Sequence, residues 1–431
     1  MFKRSQIVPK QPFEGQPGNH QHYLPASSLL TWLAASSFAA LLGFARLSYG
    51  LLLPALRADL GGSYSIYGVL STINFVGYLL GTLTTPVLLV RVQNRSALNT
   101  SAMLATSVTL LASALSLNVW QLGTWRFLIG FFSATATVLT MTLTLECILP
   151  SERGKASGLV WLGGALGILL SGLIAPPIIG AGTSSGWRVV WVVMALLSAA
   201  SAIGFHISRR RADPPLAKLP NQTERTATRS QQHIWLTLRP MFQPRRLLFL
   251  VLSYFCFGGG YIIYFTFFIS LLAQQGVPAQ NAGFVWAAIG FTGAISGWLW
   301  GNFIDRWPTG YMLTAPLALG ALGSLTVLTG NLLWEAIGAA LIGLTAFIAP
   351  PLIVTALLKR AVSDAEYATN FSALTALFAI GQILGPLVAG QVIERSGLAA
   401  GTAISALVLA FGAIFAYLYA VVQRQLQAAK L

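Results

Sequence analysis

Long apolar runs recur along the whole chain, and they constrain its fold more than any other feature. A helix of about 20 apolar residues crosses the hydrocarbon core of a bilayer, where an open sheet would leave backbone groups without hydrogen bonds. Twelve runs are long enough, which predicts twelve membrane-spanning helices. Their cores cover residues 29–53, 67–90, 97–116, 119–145, 157–179, 188–207, 247–273, 281–304, 311–329, 333–357, 371–393 and 399–422.

Charged residues are too few to build a water-facing surface. They make up 9% of the chain, whereas soluble domains carry about 25%. This composition excludes a soluble enzyme and a nucleic-acid-binding domain, so we expect a lipid bilayer and no nucleic acid among the partners. The net charge of +15 is then mainly a signal of membrane topology.

The basic residues predict the orientation, because cytoplasmic loops collect Lys and Arg. Of the 26 basic residues, 21 lie on the same side as the N-terminus and three lie on the other side. We therefore expect a multi-pass protein of the plasma (inner) membrane with both termini in the cytoplasm. The remaining two, Arg46 and Arg126, lie inside predicted spans.

A polar, basic stretch divides the twelve spans into two sets of six. The predicted organisation is a disordered cytoplasmic tail (1–28), a six-helix bundle (29–207), a basic cytoplasmic linker (208–246), a second six-helix bundle (247–423) and a short cytoplasmic tail (424–431).

The spans carry no recognisable catalytic or cofactor motif. The four histidines lie in tails, at a helix end or in the linker, without the spacing of a zinc or haem site. The sequence also has no GxSxG motif, P-loop or dinucleotide fingerprint. We expect no enzymatic activity, no cofactor and no bound metal.

The two arginines inside spans are the strongest functional signal. An arginine at membrane depth costs roughly 2.5–3.5 kcal/mol on insertion scales, so each one needs an explanation. Arg46 and Arg126 are predicted at the same depth, with Asp59, Glu146 and Glu335 all at helix ends or in loops. Two fixed positive charges without an acid at their level favour an anionic ligand. The alternative is that each arginine donates to backbone carbonyls of a neighbouring helix.

Polar and aromatic side chains on other spans are candidates for the same cavity. Tyr49 lies beside Arg46, and Asn74 and Tyr78 form a polar stripe on the second span. In the second half, Tyr261 and Tyr264 follow three consecutive glycines, and Gln382 lies on span 11. Interhelical hydrogen bonding and packing are the alternative roles of these residues.

Sequence motifs near the span ends resemble the major facilitator superfamily. The segment from Gly301 to Arg306 fits the GxxxDR core of its inner-loop signature, and Arg126-xxx-Gly130 agrees with its fourth span. The stretch from Phe44 to Pro54 resembles the YbfB/YjiJ-like branch in particular, as does the Gly381-to-Pro386 segment.

The resemblance implies an all-α membrane protein of two six-helix bundles around a central site that opens alternately to each side. It also implies a conformational latch on the cytoplasmic side. The latch candidates are Arg91, Arg95, Glu146, Asp305 and Arg306. The first copy of the loop signature lacks its aspartate, so the latch of the first half departs from the family pattern.

These observations predict a monomeric secondary transporter of a small organic anion, in particular a carboxylate. Arg46 would bind the carboxylate, and Arg126 would tune Arg46 or report occupancy of the site. Hydrogen bonds from Asn74, Tyr78, Tyr264 and Gln382 would orient the ligand. No acid is visible at the middle of the membrane, so coupling would use the substrate's own proton or anion exchange. An exporter of hydrophobic compounds and a non-transporting sensor are the alternatives.

Overall fold

The computed structural model describes residues 23–180, 185–212, 245–306, 309–346 and 348–428. Within these ranges the chain is helical, and its one strand-like feature is an isolated bridge between Leu24 and Ile148. Eleven of the described helices are long and apolar enough to cross a membrane. The last of them, Thr369–Gln425, has 57 residues and breaks at Gly397, where φ is 84°. At 1.5 Å per residue it would be roughly twice too long for one crossing, so it supplies two spans. The predicted fold of twelve spans is confirmed.

We number the helices by span. They are α1 (Leu29–Leu60), α2 (Tyr64–Arg91), α3 (Arg95–Ala114), α4 (Val119–Cys147), α5 (Arg153–Gly180), α6 (Gly186–Arg211), α7 (Arg245–Gln274), α8 (Ala279–Arg306), α9 (Tyr311–Thr326), α10 (Leu332–Ala361), α11 (364–396) and α12 (398–428).

The described segment before α1 is fastened to the α4–α5 connection. The backbone N–H of Leu24 donates to Cys147 (2.8 Å), and that of Leu149 donates to Leu24 (3.1 Å). The N–H of Ala26 donates to the Glu152 carboxylate at 2.7 Å. Residues 23–28, predicted as part of a disordered tail, are therefore bound to the helical bundle. Residues 1–22 and 213–244 lie outside the described residues, and the division into two bundles with tails and a linker stays a prediction.

Two helices depart from regular α geometry. In α1, the segment Ala39–Leu47 is a π-helix, and Arg46 lies in its last turn. Such segments often occur at functional sites because they rotate the side chains that follow. In α10, the helix is interrupted between Leu332–Ala346 and Ala349–Ala361, with Pro350 and Pro351 in the first turn of the second segment. A proline fits there because the first turn has no intrahelical partner for its missing N–H.

Among the described residues, the main contacts between the two halves join α1 with α7, α2 with α11, and α5 with α8. We call the side of the bundle that holds the α2–α3 and α4–α5 connections the tail side, and the opposite side the far side. The hydroxyl of Thr72 donates to the Ile383 carbonyl (2.7 Å), and the Trp286 indole donates to Ser171 (3.0 Å). These bonds lie toward the far ends of their helices.

Close backbone approach accompanies the hydrogen bonds. A Cβ on Gly172 would lie 2.7 Å from the Gly283 carbonyl oxygen, and a Cβ on Gly50 would overlap the Phe265 carbonyl oxygen. Small residues allow such contacts between membrane helices. The described structure is therefore a state in which the halves are closed together on the far side.

Candidate functional site

Arg46 lies between α1 and the aromatic face of α2. Its guanidinium carbon is 3.7 Å from the centre of the Tyr78 ring and 5.1 Å from that of Phe75. The side chain is 9% exposed, and its buried Nε has no hydrogen-bond partner. Cation–π contact with two rings holds the guanidinium without satisfying its N–H groups. Phe75 was not among the predicted site residues, although it precedes Tyr78 by one helical turn.

Arg126 is buried more deeply, on α4. Its Nη1 donates to the Ala45 carbonyl at 3.0 Å, and its guanidinium carbon is 4.2 Å from the centre of the Tyr49 ring. Its Nε and Nη2 are buried without partners. The bond to Ala45 is of the kind expected if Arg126 only donates to backbone carbonyls of a neighbouring helix. Two of its guanidinium nitrogens, however, have no hydrogen-bond acceptor. The two arginines are close enough to repel each other electrostatically.

Neither arginine has a carboxylate partner in the described part of the chain. The ion pairs found there are Arg95–Glu146 and Arg188–Asp59, both near helix ends. Asp59, expected in a loop, lies in the last turn of α1. A buried cation without a counterion is costly, and the described residues do not offset this cost for either arginine.

Asn74 and Tyr49 hold the arginine helices in place. The Asn74 amide donates to the Arg126 backbone carbonyl (2.7 Å), while its Oδ1 is buried without a partner. The Tyr49 hydroxyl donates to the Tyr67 carbonyl at 2.8 Å. The ring of Tyr49 therefore contacts Arg126, whereas its hydroxyl is already used. Tyr49 thus packs against Arg126, and its predicted contact with a ligand stays a prediction.

Tyr261 and Gln382 form a pair opposite the arginines. The Gln382 Nε2 donates to the Tyr261 hydroxyl, and both side chains are buried. Tyr261 is close enough to Arg46 to interact with it electrostatically. The pair thus joins α7 to α11 near Arg46.

We expect Tyr261→Phe to destabilise the protein by about 1–3 kcal/mol, because it leaves the buried Gln382 amide without its partner. Adding Gln382→Leu should recover most of this loss, since two apolar side chains leave nothing unpaired. Thermal unfolding of the single and double variants in detergent measures both effects. Additive losses in the double variant would show that the two residues do not act as a pair.

Parallel aromatic rings extend from Tyr261 toward the tail side. Tyr254 and Phe378 stack with centroids 4.6 Å apart, and Phe257 stacks on Tyr261 at 4.9 Å. The rings of Tyr261 and Phe378 are tilted by only 4°. This cluster of mutually stacked and largely buried rings, which we call the aromatic wall, comes from Tyr254, Phe257, Tyr261 and Phe378. Of these four residues, only Tyr261 was among the predicted site residues.

Tyr264 does not join this cluster. It is fully buried, its ring stacks on Phe268 at 4.5 Å, and its hydroxyl has no partner. It is close enough to feel the charge of Glu335 on α10. The predicted ligand contact of Tyr264 with the arginine site has no support in these contacts.

The predicted latch residues lie on the tail side. Arg95 Nη2 forms an ion pair with Glu146 Oε1, with both side chains about a quarter exposed. Arg91 ends α2 and is exposed. The side chains of Asp305 and Arg306 lie outside the described residues, so the role of the latch stays a prediction.

Comparison with known proteins agrees with this architecture. A family model described as "Uncharacterised MFS-type transporter YbfB" matches residues 38–417. A chloramphenicol efflux pump of Mycobacterium tuberculosis is 25% identical over 300 residues, covering 67% of this chain and 68% of the pump.

Among solved structures, the nucleoside transporter NupG has a TM-score of 0.69 at 14% identity, covering 91% of this chain and 98% of NupG. The xylose transporter XylE from E. coli, in a partially occluded inward-open conformation, has a TM-score of 0.66 at 15% identity. That match covers 91% of this chain and 99% of XylE. At these identities the structural likeness shows the fold.

Proposed function

Because the chain belongs to the YbfB-type family of the major facilitator superfamily, we propose that it carries a small organic anion across the membrane by alternating access. Members of this superfamily are transporters, and the chain is a multi-pass membrane protein. The plasma membrane and cytoplasmic termini follow from the distribution of basic residues and form part of the proposal.

The unpartnered guanidinium groups of Arg46 and Arg126 carry this proposal. Three of their nitrogens are buried without a hydrogen-bond acceptor, and the described residues supply no carboxylate to either side chain. Arginine keeps its charge and offers a planar set of donors that matches a carboxylate. A carboxylate bound here would neutralise the charge and satisfy the nitrogens together.

The aromatic wall favours certain organic groups on the ligand over others. Tyr261 lies near Arg46 and stacks on Phe257, so a carboxylate at Arg46 would have its organic part near these rings. An aromatic ring packs favourably against other aromatic rings. We therefore place aromatic carboxylates ahead of aliphatic ones.

A second candidate function is the export of neutral, hydrophobic compounds. It is favoured by the aromatic wall and by the similarity to a chloramphenicol efflux pump. An exporter would use the rings and would not require a negative charge on its ligand. The two functions therefore differ in what Arg46 contributes.

Matched ligands separate the two functions. We expect benzoate to raise the thermal unfolding temperature of the purified protein, while benzamide, of the same shape without the charge, has little effect. In Arg46→Gln the benzoate effect should disappear, because losing one partner of a buried charge pair costs about 2–5 kcal/mol. Stabilisation by acetate weaker than by benzoate would support a role for the aromatic wall.

Two outcomes would contradict the anion proposal. Equal stabilisation by benzamide and chloramphenicol in both proteins would favour the exporter. An unchanged benzoate effect in Arg46→Gln would show that Arg46 does not bind benzoate.

Benzoate counterflow in proteoliposomes then distinguishes a transporter, which gives flux, from a sensor, which binds benzoate without flux.

A further inference from the structure

The Asn74 side chain has an unused hydrogen-bond acceptor beside the two arginines. Its amide nitrogen donates to the backbone carbonyl of Arg126 at 2.7 Å, and a carbonyl can only accept hydrogen bonds. This contact therefore fixes which end of the amide is the oxygen, Oδ1. Asn74 is 0% exposed, and none of the described residues donates to Oδ1. A buried acceptor without a partner is costly, so it needs an explanation.

A second buried asparagine shows how such an amide is satisfied elsewhere in the same half. Asn99, on α3, is also 0% exposed. Its Oδ1 accepts a hydrogen bond from the Thr140 hydroxyl at 3.1 Å, and its Nδ2 donates to the Met103 sulfur at 3.6 Å. Both ends of that amide have partners, whereas Asn74 has a partner at its nitrogen end alone.

Asn74 lies between the two arginines. Its amide contacts the α4 backbone at Arg126, and Tyr78 follows it by one turn of α2. The Tyr78 ring is 3.7 Å from the guanidinium carbon of Arg46. Residues four apart share a face of a helix, so Asn74 is on the side of α2 that carries this ring. The unused acceptor thus belongs to the same cluster as the unpartnered arginine nitrogens.

The unpartnered nitrogens of Arg126 form one edge of its guanidinium group. Nη1 donates to the Ala45 carbonyl, while Nε and Nη2 are buried without acceptors. These two nitrogens donate in parallel, which is the geometry that binds both oxygens of one carboxylate. The site therefore offers a pair of donors for a carboxylate and, at Asn74, one acceptor for a donor on the same ligand.

We propose that the ligand is a 2-hydroxycarboxylate, whose carboxylate binds to Arg126 and whose hydroxyl donates to Asn74 Oδ1. This inference rests on the proposed function and names the class of anion more closely. An amine beside the carboxylate could also donate, but near neutral pH it is an ammonium, which two guanidinium groups repel. The described residues supply no carboxylate to either arginine that would offset this repulsion. A neutral hydroxyl carries no such penalty.

Four ligands with the same aromatic frame test the inference in the purified wild-type protein. Phenylacetate has the carboxylate alone, mandelate adds the 2-hydroxyl, 2-methoxy-2-phenylacetate replaces the hydroxyl hydrogen by a methyl group, and phenylglycine has an ammonium at that carbon. We expect mandelate to bind about 2- to 12-fold more tightly than phenylacetate, as one neutral hydrogen bond provides. The methoxy compound and phenylglycine should bind no more tightly than phenylacetate. Isothermal titration calorimetry in detergent measures the four dissociation constants.

A matched pair of variants tests whether Asn74 is the acceptor. Leucine has a similar size and no acceptor, so Asn74→Leu should lose the preference for mandelate over phenylacetate. Asn99→Leu removes a buried asparagine of the same half whose oxygen already has a partner, and it should keep the preference. Because the readout is a ratio of two dissociation constants, general destabilisation of the fold does not produce the expected difference.

Three results would overturn the inference. They are equal binding of mandelate and phenylacetate by the wild type, a methoxy compound that binds as tightly as mandelate, and a preference for mandelate that persists in Asn74→Leu. If Asn74→Leu does not fold, the wild-type comparison of mandelate with its methoxy compound decides the matter. Binding of none of these carboxylates would overturn the proposed function as well, whereas equal binding of phenylacetate and mandelate overturns this inference alone.

Discussion

Gly50→Ala is expected to abolish most transport while leaving the protein folded. The alanine methyl group would overlap the Phe265 carbonyl oxygen and lie 3.2 Å from the Thr266 Cα, so only separation of α1 from α7 can make room. Overpacking of this kind costs about 1–3 kcal/mol. In a two-state equilibrium that cost shifts the population by about 5- to 150-fold. Because α1 and α7 belong to different halves, the cost falls on the far-closed state alone.

Two control variants separate this effect from general destabilisation. A Cβ on Gly77 would overlap the Phe127 carbonyl within the first half, so Gly77→Ala should lower the unfolding temperature instead of shifting the conformation. Gly158 in α5 has no other atom within 4 Å of an added Cβ, and Gly158→Ala should be neutral. The distance between spin labels at Leu117→Cys and Ser396→Cys, which are exposed on the far side with one in each half, measures how far the far side is open in each variant. A far side that remains closed in Gly50→Ala would contradict the expectation.

The spans were predictable because their signal is local. Apolar length decides whether a segment can cross a bilayer, and basic residues mark the connections, so both can be read without knowing any contact. The interruption of α10 near Pro350 and Pro351 was predictable for the same reason, since a proline removes a specific backbone bond. The π-helix at Ala39–Leu47 was not, because ordinary apolar and small residues form it.

The site was predictable only in part, because partners on different helices are set by packing. The cost of a charge in hydrocarbon singled out Arg46 and Arg126, but it could not show that Arg126 donates to Ala45 while Arg46 has no acceptor. Tyr261 and Tyr264 are equivalent in sequence, yet the first pairs with Gln382 and the second lies near Glu335. Such distinctions depend on the rotation of each helix against its neighbours.

Arg46→Met is expected to make the ligand-free protein more stable and unable to bind an anion. Methionine removes a buried charge that has no hydrogen-bond acceptor, which stabilises the folded protein. The loss of the cation–π contacts with Tyr78 and Phe75 offsets part of this stabilisation. Replacing buried charges by apolar side chains is often neutral or stabilising by about 1–4 kcal/mol. Cation–π contacts of a desolvated arginine contribute up to about 2 kcal/mol, so we expect a net gain of about 1 kcal/mol. Benzoate should no longer stabilise the variant.

Two further arginine variants test whether the missing hydrogen-bond acceptor of Arg46 is the cause of the stability gain in Arg46→Met. Arg126→Met loses the bond to Ala45 as well as a charge, so its unfolding temperature should stay closer to that of the wild type. Arg95→Met removes the partner of Glu146 and should be slightly destabilising, because a partly exposed ion pair contributes about 1 kcal/mol or less. The order of stability without ligand should therefore be Arg46→Met, Arg126→Met and Arg95→Met. If Arg46→Met unfolds at a lower temperature than Arg95→Met, the Arg46 guanidinium supports the fold, and its unpaired charge is no argument for an anionic ligand.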